Sequence, residues 1–599
     1  MYTPPTFACR ACLRRTLRSL WGANVPVAQA SLLRAPTSHQ RQRQPYSTAT
    51  TRAQSPEPAL ITRALKPKPE PSAKKLEWIT NKHLEHLDDQ YNIANHVLKT
   101  LERGAYEEAL LLTQKASKDK KVTVSWNHLI DFQLKSKKLH AAVKLYNDAS
   151  NMKKRAQLPN AQTYTILFRG FAASEHPKLA ASEAFKIYQS MLTLDRVKPN
   201  TIHMNAVLET AAHARDIDLL FTIVDTASPP LRAPDTRTYT IILNALRHQI
   251  EPLPQRRGLT DEEHKKNVEN TILRAKSVWQ EVVRRWRQDK IVMDEMLACA
   301  MGRILLQGDH KDRKSVLALL GQTMQLPRLD DTNDSQSAPA VYAVPTQNTL
   351  SLVMSALRST KNTSLAPKYW QLLTEEYAIT PDRENYVRYL KALQNGRAST
   401  KTAELMPTIP QRILGPKYFR IAMQTCINDN LNKNAFQNAC RIFDVMVETS
   451  RYPDAMTMRL FLHAARANFR PFQEQRETDP VGSKMALYKQ VIAALDRMWE
   501  PFRVLCSSLS YPAHATTSPK QQWQETLNDR TELVAVARRM MAAVDSVVSD
   551  NGADPAVLKT LKTRNTIIRQ YVSRFHAASQ HMQKEVSSEQ AESSEDTTA

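Results

Sequence analysis

Few residues in this chain have both the type and the spacing for covalent chemistry. His83-Leu84-Glu85 forms a His-x-Glu, the half of a zinc-deaminase site in which an imidazole binds metal and a carboxylate moves protons. The other half, a Cys-x-x-Cys further along, does not follow it, and the His-x-Glu reads as a solvent-facing stretch of helix. Cys9 and Cys12 form a Cys-x-x-Cys with no partner pair, and Cys299, Cys426, Cys440 and Cys506 stand singly in apolar surroundings as small core residues. There is no Gly-x-Ser-x-Gly and no His-Glu-x-x-His. The 11 glycines are scattered singly, so no phosphate-cradling loop can be assembled. No catalytic residue, metal site or cofactor is expected. What the spacing does offer is charge. Lys135, Lys137 and Lys138 form one cluster, Lys153, Lys154 and Arg155 a second, and Arg284, Arg285 and Arg287 surround Trp286. With a net charge of +24, these point to a polyanion such as nucleic acid, or to an anionic surface. Side chains of this kind neutralise phosphates, which adds affinity without sequence preference.

The elements that hold these residues are helices. A chain so poor in Gly lacks the usual material for hairpin turns, while 42% hydrophobic residues supply a large core. No run of about 18 uncharged apolar residues is present, so a membrane span is not expected. The chain also repeats itself. "PNAQTYTILFRGF" begins at Pro159 and "PDTRTYTIILNAL" at Pro234, with another Pro-Asn step at Pro199. Further prolines at Pro345, Pro381, Pro416 and Pro453 are 36, 35 and 37 residues apart. "KIVMDEM" occupies the equivalent junction with Met293 in place of Pro, and insertions near 249–270 and 326–344 absorb the extra length. A period near 35 residues indicates a solenoid, whose units bury their apolar faces only against neighbours.

Two helices fit in each unit. In one, Tyr164, Leu167, Phe168 and Phe171 form a single stripe. The other carries an Ala followed four residues later by an aromatic: Ala142 and Tyr146, Ala184 and Tyr188, Ala275 and Trp279, Ala366 and Trp370, Ala439 and Phe443. These aromatics are assigned to core packing.

A helix–turn–helix unit of this length, with an aromatic early in its first helix and Pro-Asp/Asn at its end, resembles the pentatricopeptide repeat. About nine units run from 122 to 470, the first four matching well and the later ones progressively worse. "VSWNHLIDF", "TYTILFRGF", "IHMNAVLET" and "TYTIILNAL" further resemble fungal mitochondrial members of that family. Those include factors for maturation or stability of small-subunit ribosomal RNA and components of the small ribosomal subunit. The tetratricopeptide repeat, a peptide binder, is the competing solenoid, but no Leu-Gly occurs in any first helix.

The resemblance implies an all-α, right-handed α-solenoid with a helical C-terminal extension. It also implies a non-catalytic protein that binds single-stranded mitochondrial RNA, ribosomal or messenger, with small-ribosomal-subunit proteins as further partners. In the family one repeat meets one base, read by the residue after the first-helix aromatic position and the last residue of the repeat. On the matching positions the pairs are Asn127 with Asn160, Thr165 with Asn200, Asn205 with Asp235 and Thr240 with Asp294. The family rule reads them as 5′-CAUG-3′. From the fifth unit on, Cys299 with Thr346, Val387 with Lys417 and Ala422 with Asp454 are not recognised pairs, and Ser351 with Asp382 is marginal. Such units pack, or hold phosphate or protein. Asn160, Asn200, Asp235 and Asp294 also suit ordinary N-capping.

The first 56 residues hold eight Arg and no Lys, Asp or Glu, the composition of a mitochondrial transit peptide. The expected organisation is therefore a transit peptide at 1–46 directing the chain to the matrix, then a Pro/Lys-rich linker at 47–75. A helical cap at 76–121 precedes the repeats at 122–470. A helical extension fills 471–583, and a disordered acidic tail 584–599.

Overall fold

The structure is a computed structural model that describes residues 73–150, 158–194, 196–251, 261–329, 342–450, 452–469, 472–510 and 519–595. The expected transit peptide lies outside these residues, as does nearly all of the linker. Among the described residues there are twenty-four α-helices and no strand. No described helix is long and apolar enough to cross a membrane.

Helix starts follow from the junction residues. Asn160, Asn200 and Asp235 each sit in extended backbone and take the N–H three residues on, from Thr163, His203 and Thr238 at 2.9, 3.0 and 2.8 Å. In each case the side chain at that third position returns a contact to the cap N–H, completing a capping box. Asp294, Asp382 and Asp454 cap Leu297, Asn385 and Thr457 in the same way at 2.8, 2.7 and 2.9 Å. The capping assigned to Asn160, Asn200, Asp235 and Asp294 is thus present.

Nine first helices begin at these or equivalent junctions: Thr123–Lys135, Ala161–Ala172, Thr201–His213, Thr236–Ile250, Glu295–Leu305, Gln347–Ser359, Arg383–Asn395, Pro416–Asn428 and Ala455–Ala467. Each packs against the next, so they form one continuous layer, and second helices such as Leu139–Ser150 and Pro177–Thr193 fill the other. This layering is the α-solenoid. The pair Gln90–Glu102 and Tyr106–Ala116 extends it one step toward the N-terminus. There the indole N–H of Trp126 donates to Ser117 Oγ at 2.9 Å. The insertion expected at 249–270 is spent partly on lengthening a second helix, Asp261–Arg287.

The alanines of the second-helix phrase sit in the core. Ala142, Ala184, Ala275, Ala366 and Ala439 are all fully buried, with Tyr188 and Phe443 filling the space one turn on. The core divides in two clusters, one from Ile93 to Leu393 and one from Tyr386 to Ile568. Trp370 packs against both and stacks on Tyr389 at 4.2 Å. Beyond the ninth first helix, Pro480–Ser510 and Pro519–Ser549 pack directly on it. The last helix, Pro555–Glu595, runs into the segment expected to be a disordered tail.

Ala184→Leu is expected to destabilise the array by about 1–3 kcal/mol through overpacking. The loss should appear in thermal melts and in faster amide exchange across Ala161–Ala172 and Pro177–Thr193.

Candidate nucleic-acid interface

The first helices present one recurring polar arrangement. In repeat one, Asn127 is 2% exposed and its Nδ2 lies 3.5 Å from Oδ1 of Asn160. The hydroxyl of Thr163 sits 2.7 Å from Asn127 Oδ1 and 3.0 Å from Asn160 Oδ1. In repeat three, Asn205 is 4% exposed and donates through Nδ2 to Asp235 Oδ1 at 3.0 Å, with Thr238 Oγ1 2.7 Å from Asn205 Oδ1. Two of the four expected pairs are therefore brought together, each locked by a threonine of the following helix. The amides of Asn127 and Asn205 are largely buried, while Asn160 and Asp235 reach solvent. At Asp235 the contacts from Asn205, from the Thr238 N–H and from its hydroxyl all fall on Oδ1, which leaves Oδ2 as an acceptor.

The Thr pairs are built differently. Thr165 and Thr240 are half-buried and donate to carbonyls of their own helix, Ala161 and Thr236, both at 2.9 Å. Asn200 and Asp294 serve as caps. In the place held elsewhere by Thr163 and Thr238, repeat three has the buried His203, whose Nε2 is 2.9 Å from the Ala161 carbonyl. The repeated Thr-Tyr-Thr phrase already contained Thr163 and Thr238, but its first Thr carries no weight until the pairs are seen in space.

A second row was missed entirely. Three residues before each reading position, the first helices hold a side chain turned to solvent. Val124, Ile202 and Met296 are 45%, 57% and 45% exposed, Gln162 and Arg237 are exposed too, and Tyr91 of the cap pair is 69% exposed. Apolar groups off the core stripe beside the polar pairs are suited to lie against the faces of flat rings.

In the fifth and seventh units the buried reading position no longer carries an amide, while Ser351 of the sixth is half-buried. Cys299 and Val387 are buried. Burial, with Glu295 nearby, pushes the Cys299 thiol up to about 12. The Glu295 carboxylate instead caps the next helix, taking the N–H of Thr346 at 3.0 Å and of Thr349 at 2.8 Å. Although burial works against it, the hydroxyls of Thr346 and Thr349, with the Thr349 N–H, hold Glu295 below its usual range. In the eighth unit the expected position needs correction. Ala422 is buried, and Arg420 meets Asp454 in a fork at 2.8 and 2.6 Å. Pro416 is the first residue of its helix, capped by Gly415, whereas earlier prolines stand one residue before the cap. That moves the reading position two residues back, and it replaces Lys417 by Gly415 as the closing residue of unit seven.

Of the basic clusters, Lys135 pairs with Asp131 at 2.6 Å and Lys137 with Glu175 at 2.5 Å, while Lys138 is exposed. Such exposed pairs are weak, and an incoming phosphate can compete for them. Lys153, Lys154 and Arg155 lie outside the described residues. Arg284 and Arg285 are both held by Glu281 at 2.8 and 2.7 Å.

The sequence profile of the PPR repeat family matches residues 121–173, which span repeat one and the first helix of repeat two. Over these residues the chain carries the pentatricopeptide repeat. It is similar to pentatricopeptide repeat-containing protein 2, mitochondrial, of Schizosaccharomyces pombe, with 26% identity over 333 residues, 54% of this chain and 72% of that protein. Among solved structures it resembles the pentatricopeptide repeat protein PPR10 in complex with an 18-nt psaJ RNA element, at 11% identity and a TM-score of 0.30, covering 84% of this chain and 82% of that one. It also resembles Naa15/Naa10 bound to HypK-THB, at 12% identity and a TM-score of 0.22, covering 86% and 77%. At these scores neither structural likeness bears on function.

Removing the guanidinium by Arg420→Gln leaves the Asp454 carboxylate short of a charged partner. The expected cost is about 1–2 kcal/mol, reduced by the partial exposure of Arg420. Burial raises the Asp454 pKa, but Arg420 and Thr457 together hold it below 3.8. The pair's contribution is therefore present above the ordinary carboxylate range and lost as pH falls through the depressed value. Amide exchange in Ala455–Ala467 should differ between the two proteins at neutral pH and converge in acid.

Proposed function

We propose that this protein is a non-catalytic RNA-binding protein of mitochondria that holds single-stranded RNA along the first helices of repeats one to four. The observation that carries this is the polar pair between successive repeats, flanked by exposed side chains at 124, 162, 202, 237 and 296. A splayed base offers donors and acceptors on its edge and an apolar face above and below, and this row supplies partners for both. The free Oδ2 of Asp235 suits the N–H edge of uracil, the base expected at the third repeat. The mitochondrial name of the fission-yeast relative and the Arg-rich, acid-free N-terminus both support the location, with the matrix as the compartment. The order of repeats gives 5′-CAUG-3′ as the preferred core. Within mitochondria the protein acts in RNA processing, stability or translation, through small-subunit ribosomal RNA or a messenger.

A second reading makes the array mainly a scaffold in the small ribosomal subunit. It is favoured by repeats five, seven and eight, where the reading position is buried at Cys299 and Val387 or tied into the Arg420–Asp454 fork.

Crosslinking of the tagged protein to RNA in intact mitochondria separates the two. A sharp footprint on one RNA containing CAUG, lost on changing Asn205 and Thr240, supports sequence-specific binding. Broad ribosomal RNA contact indifferent to those changes supports the scaffold, and no RNA at all sinks both. In vitro, Asn205→Ala is expected to weaken binding of a CAUG oligonucleotide about tenfold, the loss of one charge-assisted contact. Its discrimination between U and C at the third base should fall with it, while salt dependence is unchanged.

A further inference from the structure

The N-terminal three-helix segment contains a group of side chains that the RNA reading does not use. His83 comes from Ala73–Glu85, His96 from Gln90–Glu102 and Glu108 from Tyr106–Ala116, one from each successive helix. One donor atom of each lies within 4.8 Å of the other two. The imidazole rings stand 4.4 Å apart, tilted by 48°, and Glu108 Oε1 is 3.6 Å from His83 Nε2. That distance is too long for a hydrogen bond. His96 Nε2 is shut off from solvent and has no hydrogen-bond partner. Two imidazoles and a carboxylate thus converge without satisfying one another, which is costly for the buried nitrogen. Glu85, the other member of His83-Leu84-Glu85, is exposed and takes no part.

We propose that His83, His96 and Glu108 bind one divalent cation of the zinc type, which clips the first helix to the pair capping the solenoid. Two imidazole nitrogens and one carboxylate oxygen are a donor set that zinc uses, with water completing the coordination. Metal–ligand bonds of about 2.0–2.2 Å would draw the donors to roughly 3.3 Å from one another, a closing within reach of side-chain rotation. Burial first, then His83 and Arg103, hold the His96 imidazole below its usual value. Glu108 opposes that shift, and Lys99 adds to it.

The first helix also needs such a clip. Its only buried residue is Thr80, whose hydroxyl is returned to its own backbone at Leu76. Leu84 is only partly buried against the core. The rest of its attachment is polar, through Lys115 to Glu77 at 3.1 Å and to Asn81 at 2.8 Å. A cation held by all three helices would order this weakly anchored element as small domains are ordered by structural metals.

The test is titration of the full chain, stripped with chelator, by zinc chloride in competition with a chromophoric chelator. Cobalt chloride serves as a spectroscopic probe of tetrahedral coordination. Wild type should take up one equivalent, with at least tenfold weaker binding for His96→Gln and for Glu108→Gln and no change for Glu85→Gln or His86→Gln. Zinc should slow proteolysis between residues 73 and 89 in wild type but not in the variants. Circular dichroism reports whether His96→Gln folds; if it does not, the half-buried Glu108→Gln decides. No stoichiometric equivalent, or one that survives Glu108→Gln undiminished, would overturn the proposal.

Discussion

The array depends on one kind of contact, found at six of the nine repeat junctions: a side-chain oxygen that takes the N–H of the third residue of the next helix. Every helix start leaves N–H groups without intrahelical partners, and in a stack of helices those groups face the preceding repeat rather than open water. An Asn or Asp at the junction satisfies them and complements the positive end of the helix dipole. At three junctions this side chain, lying between two first helices, also touches the reading position of the repeat it closes. Asn160 with Asn127, Asp235 with Asn205 and Asp454 with Arg420 are one geometry built from different residues. Fold and candidate site therefore share atoms, and the identity of the reading residue decides whether the junction is a polar pair or an ion pair.

That sharing explains what could be seen in the sequence. The period near 35 residues, the capping residues and the buried Ala-aromatic phrase are local, and each recurs often enough to be recognised without neighbours. The exposed row at Val124, Ile202 and Met296 was hidden because an apolar residue in an amphipathic helix reads as core, and only burial distinguishes the two. Arg420 was hidden by Pro416, which opens its helix instead of preceding the cap, so a register counted from prolines slipped by two residues. His83, His96 and Glu108 are separated by whole helices and form no motif at all. Thr163 and Thr238 stood in plain view in the repeated phrase, but their work is done across a junction that linear spacing does not show.

Scarcity of glycine shapes the opposite ends of the first helices. The turn to the second helix needs a residue in the left-handed region, where glycine is cheapest. Here Lys137, Arg215, Lys361 and Arg397 occupy it, with φ of 62°, 57°, 61° and 53°. At three of these turns the following N–H reaches back to the carbonyl five residues earlier, Lys138 to Gln133, Asp216 to Ala211 and Ala398 to Leu393, at 2.9, 3.1 and 3.0 Å. A side chain in that conformation costs roughly 1–2 kcal/mol. A cation there recovers about 0.3–1 kcal/mol from the negative end of the helix dipole. It also reaches the next repeat, as Lys137 does to Glu175 and Arg215 to the carbonyl of His248 at 3.2 Å. Lys361 and Arg397, one repeat apart, line the same open cavity of about 890 Å³.

Six of the nine first helices therefore begin on Asn or Asp, and four are followed by Lys or Arg in the left-handed region. Each choice is favourable for a single isolated helix. Stacking the helices in parallel turns the individual preferences into two edges of different character, separated by the length of one helix, with the reading positions near the acidic edge. A strand of RNA has the same division between a neutral row of bases and an anionic backbone. A surface with amide and hydroxyl groups along one line and cations along another follows from helix physics alone, before any selection for a ligand. What sequence adds is the choice, repeat by repeat, between Asn, Thr, Cys, Val and Arg at the fifth helical residue. That choice keeps an amide or hydroxyl on the line through repeats one to four and replaces it at Cys299, Val387 and Arg420.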